Sequence, residues 1–400
     1  MKKIFKRGMS GLLAVLMAFT VLAGFGTTTA FAASETAESY MISFPRDGDA
    51  AQIYSEDAWG HSAKTYMNGW TTGSSNYTTL HCMHDVRRWD ISPEWIVPVY
   101  GITASLATLM RAMTTEGDGI IGLDPVYHMY WKAVELSGRR KVSSRMLFDG
   151  AQYTVDWEDL EQKMADPRNK ILLVCNPANP TAKIFSYQEL ARFSDLAAKY
   201  DVTIFNDEIF AECIYDGVEM HTFGQLPHPH SKIVTATSLG KWLSFTGTNQ
   251  ANLIIPDDQL RIRFLAERDR EFYGSMNPMM LPAYRAAYTP EGAAWVKEMM
   301  SYVAENYHMV DQFFKEELPA FKAIKPEGTF ILWVDARSFC DDEEKLIAFL
   351  NEKAFFHVDP GTQYNGDPGF FRMTLSVPRA ALRSALENLS SAVSSVGGKL

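Results

Sequence analysis

Residues 233–255, with the sequence IVTATSLGKWLSFTGTNQANLII, place a lysine in a Ser/Gly-rich turn between two runs typical of buried β-strands. The lysine is Lys241, and the strand-like runs are 233–237 and 251–255. Burying an amine is costly unless it is neutralised, paired or used covalently. A Schiff base to a carbonyl cofactor is one such use, although a lysine in an S-x-x-K turn is more often a surface residue. The stretch alone therefore leaves the role of the lysine open.

Two further strand-like runs lead into polar residues that we expect at the same edge of a sheet. Residues 171–175 precede Asn179, and residues 202–206 precede Asp207. A helical pattern separates the two runs, so they form a βαβ unit with parallel strands. Ligands of open α/β sheets bind outside the carboxyl ends of the strands. An aspartate there is often only a helix cap, but with Lys241 it makes the acid–lysine pair that pyridoxal 5'-phosphate (PLP) sites use, the acid binding the pyridine nitrogen.

Three ordered motifs carry a family resemblance. NPANPT (176–181), NDEIF (206–210) and SLGK (238–241) together resemble the fold-type I PLP enzymes of the class I/II aminotransferase family, and the region around the lysine is most similar to the cystathionine β-lyase branch. The likeness runs from about Trp89 to the C-terminus. It implies an α/β fold, with a three-layer α/β/α large domain built on a mostly parallel sheet and a smaller α+β C-terminal domain. It also implies that Lys241 carries PLP and acts as the catalytic base.

The family's phosphate site falls on a glycine turn that opens a helix. Residues 101–103, Gly-Ile-Thr, follow a strand-like run and lead into a helical pattern over 106–113. A helix start presents unpaired N–H groups and a positive dipole end, although an ordinary strand–helix junction has the same pattern. The resemblance implies that Ile102 and Thr103 bind the phosphate through their backbone, and that Ser238 binds it through its hydroxyl.

The resemblance also assigns the residues that contact the pyridine ring and the substrate. Tyr127 would pack against the ring; His128 and Tyr130 are alternatives, and a core tyrosine is the simplest interpretation. Arg372 lies among apolar neighbours, where a guanidinium needs an anion. The resemblance makes Arg372 the clamp for the α-carboxylate of an amino acid, with Asn179 beside both cofactor and substrate. A salt bridge within the core is the other interpretation of Arg372.

Three positions depart from the family pattern. Phe210 stands where the family has tyrosine or histidine, and it cannot donate a hydrogen bond to the cofactor. Asn249 stands where aminotransferases proper carry a phosphate-binding arginine, which the β-lyase branch tends to lack. Ala182 replaces the glycine that usually follows NPT, which matters if the backbone there has a positive φ.

The function expected from these residues is carbon–sulfur β-lysis of cystathionine or cysteine S-conjugates, which releases a thiol, pyruvate and ammonia. The same residues also suit an aminotransferase, so this remains the first alternative. The second alternative is an exported relic that keeps the fold without catalysis. Branch resemblance and Asn249 favour the lyase.

The N-terminus has the pattern of a secretory signal peptide. Residues 1–32 contain a basic start, an apolar run and an A-x-A-like cleavage site. We therefore expect a secreted or extracytoplasmic protein, with a membrane anchor through an uncleaved signal as the alternative. Removal of four positive charges would change the net charge from −10 to −14. This acidity argues against nucleic-acid partners, and no second long apolar stretch predicts stable membrane association.

The remaining expectations concern domains, partners and metals. We expect a divergent segment at 33–90, a PLP-binding large domain at 91–290 and a small domain at 291–400. The resemblance implies a homodimer, in which Tyr77 reaches the cofactor of the neighbouring subunit. The HCMH stretch at 81–84 has too few ligands for a typical metal site, so no metal is expected.

Overall fold

The computed structural model describes residues 83–84, 86–271 and 280–400, without the side chains of Leu281 and Pro282. The predicted signal peptide and Tyr77 lie outside the described residues. The described residues all belong to one compact unit. None of the described helices is both long and apolar enough to cross a membrane.

Seven strands build the main sheet. They are β1 (Ile96–Val99), β2 (Gly119–Asp124), β3 (Arg140–Arg145), β6 (Asn169–Cys175), β7 (Thr203–Asp207), β8 (Ile233–Thr237) and β9 (Ala251–Ile254); a separate two-stranded ribbon pairs β4 (Leu147–Phe148) with β5 (Tyr153–Thr154). Their order is β1-β9-β8-β7-β6-β2-β3. The pairs from β8 to β3 are parallel, and β9 is antiparallel to both of its neighbours. The mostly parallel sheet is confirmed.

Helices cover both faces of this sheet. The helices of this part are α1 (Ile102–Met113), α2 (His128–Leu136), α3 (Trp157–Ala165), α4 (Tyr187–Tyr200), α5 (Asp258–Arg270) and α6 (Met280–Ala287). Alternate strand residues point to opposite faces: Leu173 packs in a cluster with α1, α2 and α5, whereas Leu172 packs in a cluster with α3 and α4. The predicted three-layer α/β/α arrangement is therefore confirmed.

The βαβ unit of β6, α4 and β7 forms as predicted. Its two strands are parallel, and Cys175 pairs in register with Asp207. Helix α4 begins with a capping box, in which Ser186 accepts from the backbone of Glu189 and the Glu189 carboxylate accepts from the backbone of Ser186. The cap fixes where α4 begins, and the parallel register brings the ends of β6 and β7 to one edge of the sheet.

A second, antiparallel sheet follows in the C-terminal part. Its strands are β10 (Lys322–Ala323), β11 (Ile331–Asp335), β12 (Asp359–Pro360) and β13 (Phe370–Thr374), in the order β10-β11-β13-β12, and its helices are α7 (Pro290–Glu317), α8 (Glu343–Glu352) and α9 (Arg379–Ser395). Trp333 on β11 lies in one apolar cluster with Tyr153 and donates a hydrogen bond to its hydroxyl at 3.1 Å. This contact ties the small sheet to the ribbon. The predicted domain boundary at 290/291 stays a prediction.

One element begins earlier than the sequence suggested. Helix α1 starts at Ile102, whereas the helical pattern was expected from 106. Gly101 has a φ of +83°, a conformation that glycine adopts without strain. The chain therefore turns at a single residue, and the whole 102–105 segment forms the first turn of the helix.

The capping box makes a prediction about stability. Ser186→Ala should lower the free energy of unfolding by about 1 kcal/mol, because the first turn of α4 loses a hydrogen-bond acceptor. Urea unfolding followed by circular dichroism measures the change. Ser391→Ala in α9 is the control, since this exposed serine bonds only to the carbonyl four residues earlier. An equal loss in both variants would contradict the role of the cap.

Candidate active site

One cavity of about 810 Å³ lies at the carboxyl edge of the parallel strands. Its lining includes all eight residues selected from the sequence, namely Ile102, Thr103, Tyr127, Asn179, Asp207, Ser238, Lys241 and Arg372. The strands explain much of this convergence, because β2, β6, β7 and β8 end at the same edge: β7 ends on Asp207, and each of the other three is followed by one or more of these residues. The structure thus brings the predicted residues together, while their individual roles remain predictions.

Lys241 follows β8 and extends into the cavity with its side chain half-buried. Burial lowers the pKa of its amine from the ordinary value, Asp207 acts in the opposite direction, and the charge of Arg372 lowers it further. Its Nζ lies 5.9 Å from the centre of the Phe210 ring. Phe210 therefore offers the amine an aromatic face in place of the hydroxyl or imidazole that the family carries here.

Asp207 is the last residue of β7 and is almost fully buried. One carboxylate oxygen accepts a hydrogen bond from the backbone N–H of Ile209 at 2.9 Å, and the other accepts from the hydroxyl of Tyr130. Burial raises the pKa of Asp207 to about 6, while the Tyr130 and Ile209 hydrogen bonds and the charge of Lys241 act to lower it. The two hydrogen bonds and the charge of Lys241 therefore favour the charged carboxylate.

The start of α1 faces the same cavity. In the first turn of a helix the N–H groups have no intrahelical acceptor, so the backbone of Ile102 and Thr103 can bind an anion. Ser238 also lines the cavity, but its hydroxyl donates to the carbonyl of Gln250 at 2.7 Å and accepts from the N–H of Gly240 at 3.0 Å. The hydroxyl must turn away from Gln250 before it can donate to a phosphate.

Tyr127 and Tyr130 meet edge-to-face with ring centres 5.4 Å apart, and Tyr127 is the more exposed of the two. Tyr127 lines the cavity in a position to pack against a flat ligand. Tyr130 is buried, and its hydroxyl contacts Asp207 instead. Sequence reasoning considered Tyr130 only for ring packing and missed its contact with the acid, because a tyrosine at a helix start gives no signal of its partner.

Arg372 lies on β13, and its guanidinium contacts residues from two parts of the chain. Its Nη1 donates to the side-chain oxygen of Asn179 at 3.2 Å. Its Nε donates to a carboxylate oxygen of Asp359 at 3.0 Å, and its Nη2 donates to the same oxygen. Arg372 therefore forms a salt bridge, but the pair lies partly exposed at the wall of the cavity and not within the core. Asp359 was missed because β12 is too short to show a periodic pattern.

The departures from the family pattern have structural counterparts. Ala182 has a φ of +58°, which is the conformation that favours the usual glycine. Asn249 also has a positive φ, which asparagine tolerates better than most residues, and it lines the cavity near the start of α1.

The donor set fits PLP. A half-buried amine, a buried acid for a ring nitrogen, a tyrosine face and an anion-binding helix start all face one space. Lys241, Asp207, Tyr127 and the first turn of α1 would hold the cofactor. Among the described residues no group of three or more potential metal ligands occurs; His81 and Cys82 lie outside them.

Comparisons with known proteins agree with this site. The family model "Aminotransferase class I and II" matches residues 56–389. Cystathionine beta-lyase PatB of Bacillus subtilis is 29% identical over 330 residues, which cover 82% of this chain and 85% of PatB. Aspartate aminotransferase of Geobacillus stearothermophilus is 26% identical over 306 residues, covering 75% of this chain and 76% of that protein.

A solved structure of a similar protein contains the cofactor PLP. Cystalysin from Treponema denticola, whose crystal structure contains PLP, superposes with a TM-score of 0.78 at 29% identity, covering 80% of this chain and 82% of cystalysin. The predicted fold, cofactor and enzyme class are confirmed together. This chain belongs to the aminotransferase class I and II family and is a PLP-dependent enzyme of that family.

Proposed function

We propose that this enzyme is a carbon–sulfur β-lyase that converts cystathionine or other cysteine S-conjugates, together with one water molecule, to a thiol, pyruvate and ammonia. The observation that carries the proposal is the convergence of Lys241, Asp207 and Arg372 on one cavity. The similarity to PatB and cystalysin supports the lyase over the aminotransferase, as does Asn249 in place of the arginine of aminotransferases proper. The similarity to aspartate aminotransferase keeps that alternative open.

Arg372 and Asn179 orient the substrate. The guanidinium uses three of its five N–H groups on Asp359 and Asn179, so one hydrogen remains on each terminal nitrogen. Two donors are the number that a carboxylate binds in a bidentate pair. The α-carboxylate held there fixes the amino acid so that its Cα–H bond lies within the cavity.

Lys241 acts as the base that removes the Cα proton of the substrate. When PLP is bound, its ring supplies an electron sink for the electron pair that Cα releases. The Nζ of Lys241 accepts the Cα proton, and its lowered pKa makes the neutral, proton-accepting amine more available near neutral pH. In the lyase the electron pair then expels the sulfur from Cβ as a thiolate.

Asp207 holds a proton at the ring nitrogen of the cofactor. Its carboxylate is kept charged by the hydrogen bonds from Tyr130 and Ile209, which oppose the cost of burial. A charged acid favours a protonated, electron-withdrawing ring. Tyr130 is thus a positioning residue that acts through Asp207.

We also propose that the protein is exported and works as a homodimer. The basic and apolar pattern of residues 1–32 supports export, and the family resemblance supports the dimer. Cleavage of the signal by a signal peptidase and size-exclusion chromatography of the mature chain test the two statements separately.

The role of the Lys241 amine makes a prediction about activity. Purified protein with PLP should show the visible absorbance of a lysine-bound cofactor and release pyruvate and a thiol from cystathionine. Lys241→Ala should lose that absorbance and reduce turnover by about 10²–10⁴-fold or more, because both the attachment point and the base are gone.

Lys345→Ala is the matched control, since this lysine is exposed and, among the described residues, forms its salt bridge with Asp342. A wild-type protein without visible absorbance would contradict PLP-dependent catalysis. It would favour an exported protein that keeps the fold without catalysis. Formation of a keto acid that retains the sulfur would instead identify an aminotransferase.

A further prediction tests the contact between Tyr130 and Asp207 through the pH dependence of folding. The folded pKa of Asp207 lies above its ordinary value, so its contribution to the stability of the cofactor-free protein is fully present below pH 4 and is lost as the pH rises through about 6. Tyr130→Phe removes a hydrogen bond to the charged form. The pKa of Asp207 should rise further, by about one pH unit, so its contribution to stability should be lost at a higher pH than in the wild type.

Urea unfolding from pH 4 to pH 8 measures this, with Asp207→Asn as the reference that lacks the titration. Tyr215→Phe is the control, because its buried hydroxyl has no hydrogen-bond partner among the described residues. If the free energy of unfolding depends on pH in the same way in Tyr130→Phe and in the wild type, the Tyr130 hydroxyl does not act on Asp207.

A further inference from the structure

Tyr364 is fully buried and contacts both members of the Arg372–Asp359 pair. Its hydroxyl donates to Oδ2 of Asp359 at 3.0 Å, and its ring centre lies 4.8 Å from Cζ of Arg372, a distance at which a guanidinium is attracted to an aromatic face. Arg372 and Asp359 line the cavity, whereas Tyr364 is not among the described residues that line it. Any effect of Tyr364 on a ligand must therefore pass through this pair.

The hydroxyl and the guanidinium meet at one oxygen of Asp359. Nε and Nη2 of Arg372 donate to the same Oδ2 that accepts from Tyr364. Three donors on one oxygen hold the carboxylate against the Nε–Nη2 edge of the guanidinium. Nη1 donates to Asn179 at 3.2 Å, and one hydrogen remains on each terminal nitrogen. The placement of Asp359 thus determines which donors of Arg372 stay open.

Tyr364 is itself fixed by the main sheet. Its carbonyl accepts from the N–H of Val126 at 2.9 Å, and its ring meets that of Trp333 edge-to-face with centres 5.9 Å apart. The next residue, Asn365, donates through its side chain to Asp124, the last residue of β2, at 2.7 Å. The hydroxyl that holds Asp359 therefore extends from a segment anchored to the large sheet, and its position does not depend on β12 or β13.

The hydroxyl is also a constant donor. Burial raises the pKa of Tyr364 above its ordinary value; the charge of Arg372 opposes this, and the carboxylate of Asp359 adds to it. The hydroxyl therefore stays protonated near neutral pH, and it donates to Asp359 in every state of the site that has an acceptor there.

We propose that Tyr364 is a positioning residue that holds Asp359 against one edge of Arg372 and keeps the remaining donors of the guanidinium open to the α-carboxylate of the substrate. Without the hydroxyl, the carboxylate of Asp359 has one hydrogen bond fewer and competes more strongly for the guanidinium, which is then less well oriented. This inference rests on the proposed function, in which Arg372 binds the α-carboxylate.

Two inert probes test the proposal on the PLP-loaded protein. The compound 3-methylthiopropionate is S-methylcysteine without its amino group, so it cannot react with the cofactor, and its amide has a similar shape without the charge. Ligand-observed NMR titrations give both dissociation constants without turnover. The wild type should bind the carboxylate more tightly than the amide, because only the carboxylate forms a charged pair with Arg372.

Tyr364→Phe should weaken the binding of the carboxylate by about fivefold and that of the amide by less than about twofold, because the lost hydrogen bond acts through the charged pair. Tyr200→Phe is the matched control. The hydroxyl of Tyr200 also donates to a carboxylate at 3.0 Å, that of Glu161, and neither residue lines the cavity. This control should leave the ratio of the two dissociation constants unchanged.

A double-mutant cycle shows whether the hydroxyl acts through the acid. Asp359→Ala removes the acceptor of the Tyr364 hydroxyl and retains Arg372. In that background, Tyr364→Phe should change the dissociation constant of the carboxylate by less than about twofold. Circular dichroism of each variant establishes that it is folded.

A carboxylate-to-amide ratio in Tyr364→Phe that stays within about twofold of the wild type overturns the proposal. So does an equal loss with and without Asp359→Ala, which would mean that Tyr364 acts by packing alone. A wild type that binds the carboxylate no more tightly than the amide overturns both this proposal and the role of Arg372. If the protein fails to release pyruvate from cystathionine but the ratio falls as expected in Tyr364→Phe, the lyase proposal fails and the role of Tyr364 stands.

Discussion

The burial of opposite charges at the carboxyl edge of one sheet is the constraint on which the rest of this structure depends. Asp207 is almost fully buried and Lys241 is half-buried, and each perturbs the pKa of the other. Neither group would be stable there alone, because an isolated buried charge loses its hydration without compensation. The parallel strands β7 and β8 place Asp207 at the carboxyl end of β7 and Lys241 beyond the carboxyl end of β8, and Tyr130 from α2 gives the acid a further hydrogen bond. The fold therefore maintains a reactive pair that an ordinary core would exclude.

The second sheet completes the site by bringing a cation to this edge. Arg372 projects from β13 and reaches Asn179, which follows β6 of the main sheet. Packing around Trp333 and Phe370, which stack with ring centres 5.6 Å apart in a cluster shared with α3 and α4, holds the small sheet in place. The proposed substrate clamp is thus assembled across two sheets. Its geometry depends on apolar packing that lies outside the cavity.

In the proposed mechanism, different polar residues serve the cofactor and the substrate. At the cofactor end, Lys241, Asp207 and the first turn of α1 supply an amine, an acid and backbone donors. At the substrate end, Asp359 forms a salt bridge with Arg372 and contributes a negative charge. The departures from the family pattern follow the same division. Phe210 alters the surroundings of the amine, and Asn249 alters the anion site at the start of α1.

The sequence by itself predicted the fold class, the βαβ unit and the residues that line the cavity. Periodic apolar runs located β6, β7, β8 and β9, and the capping box located the start of α4, because these signals are local. The motifs that end these strands identified Asn179, Asp207 and Lys241. Only the tertiary structure decided which side chains meet: Tyr130 with Asp207 and Asp359 with Arg372. These contacts join residues 77 and 13 positions apart, and they depend on how elements pack, which no local pattern encodes.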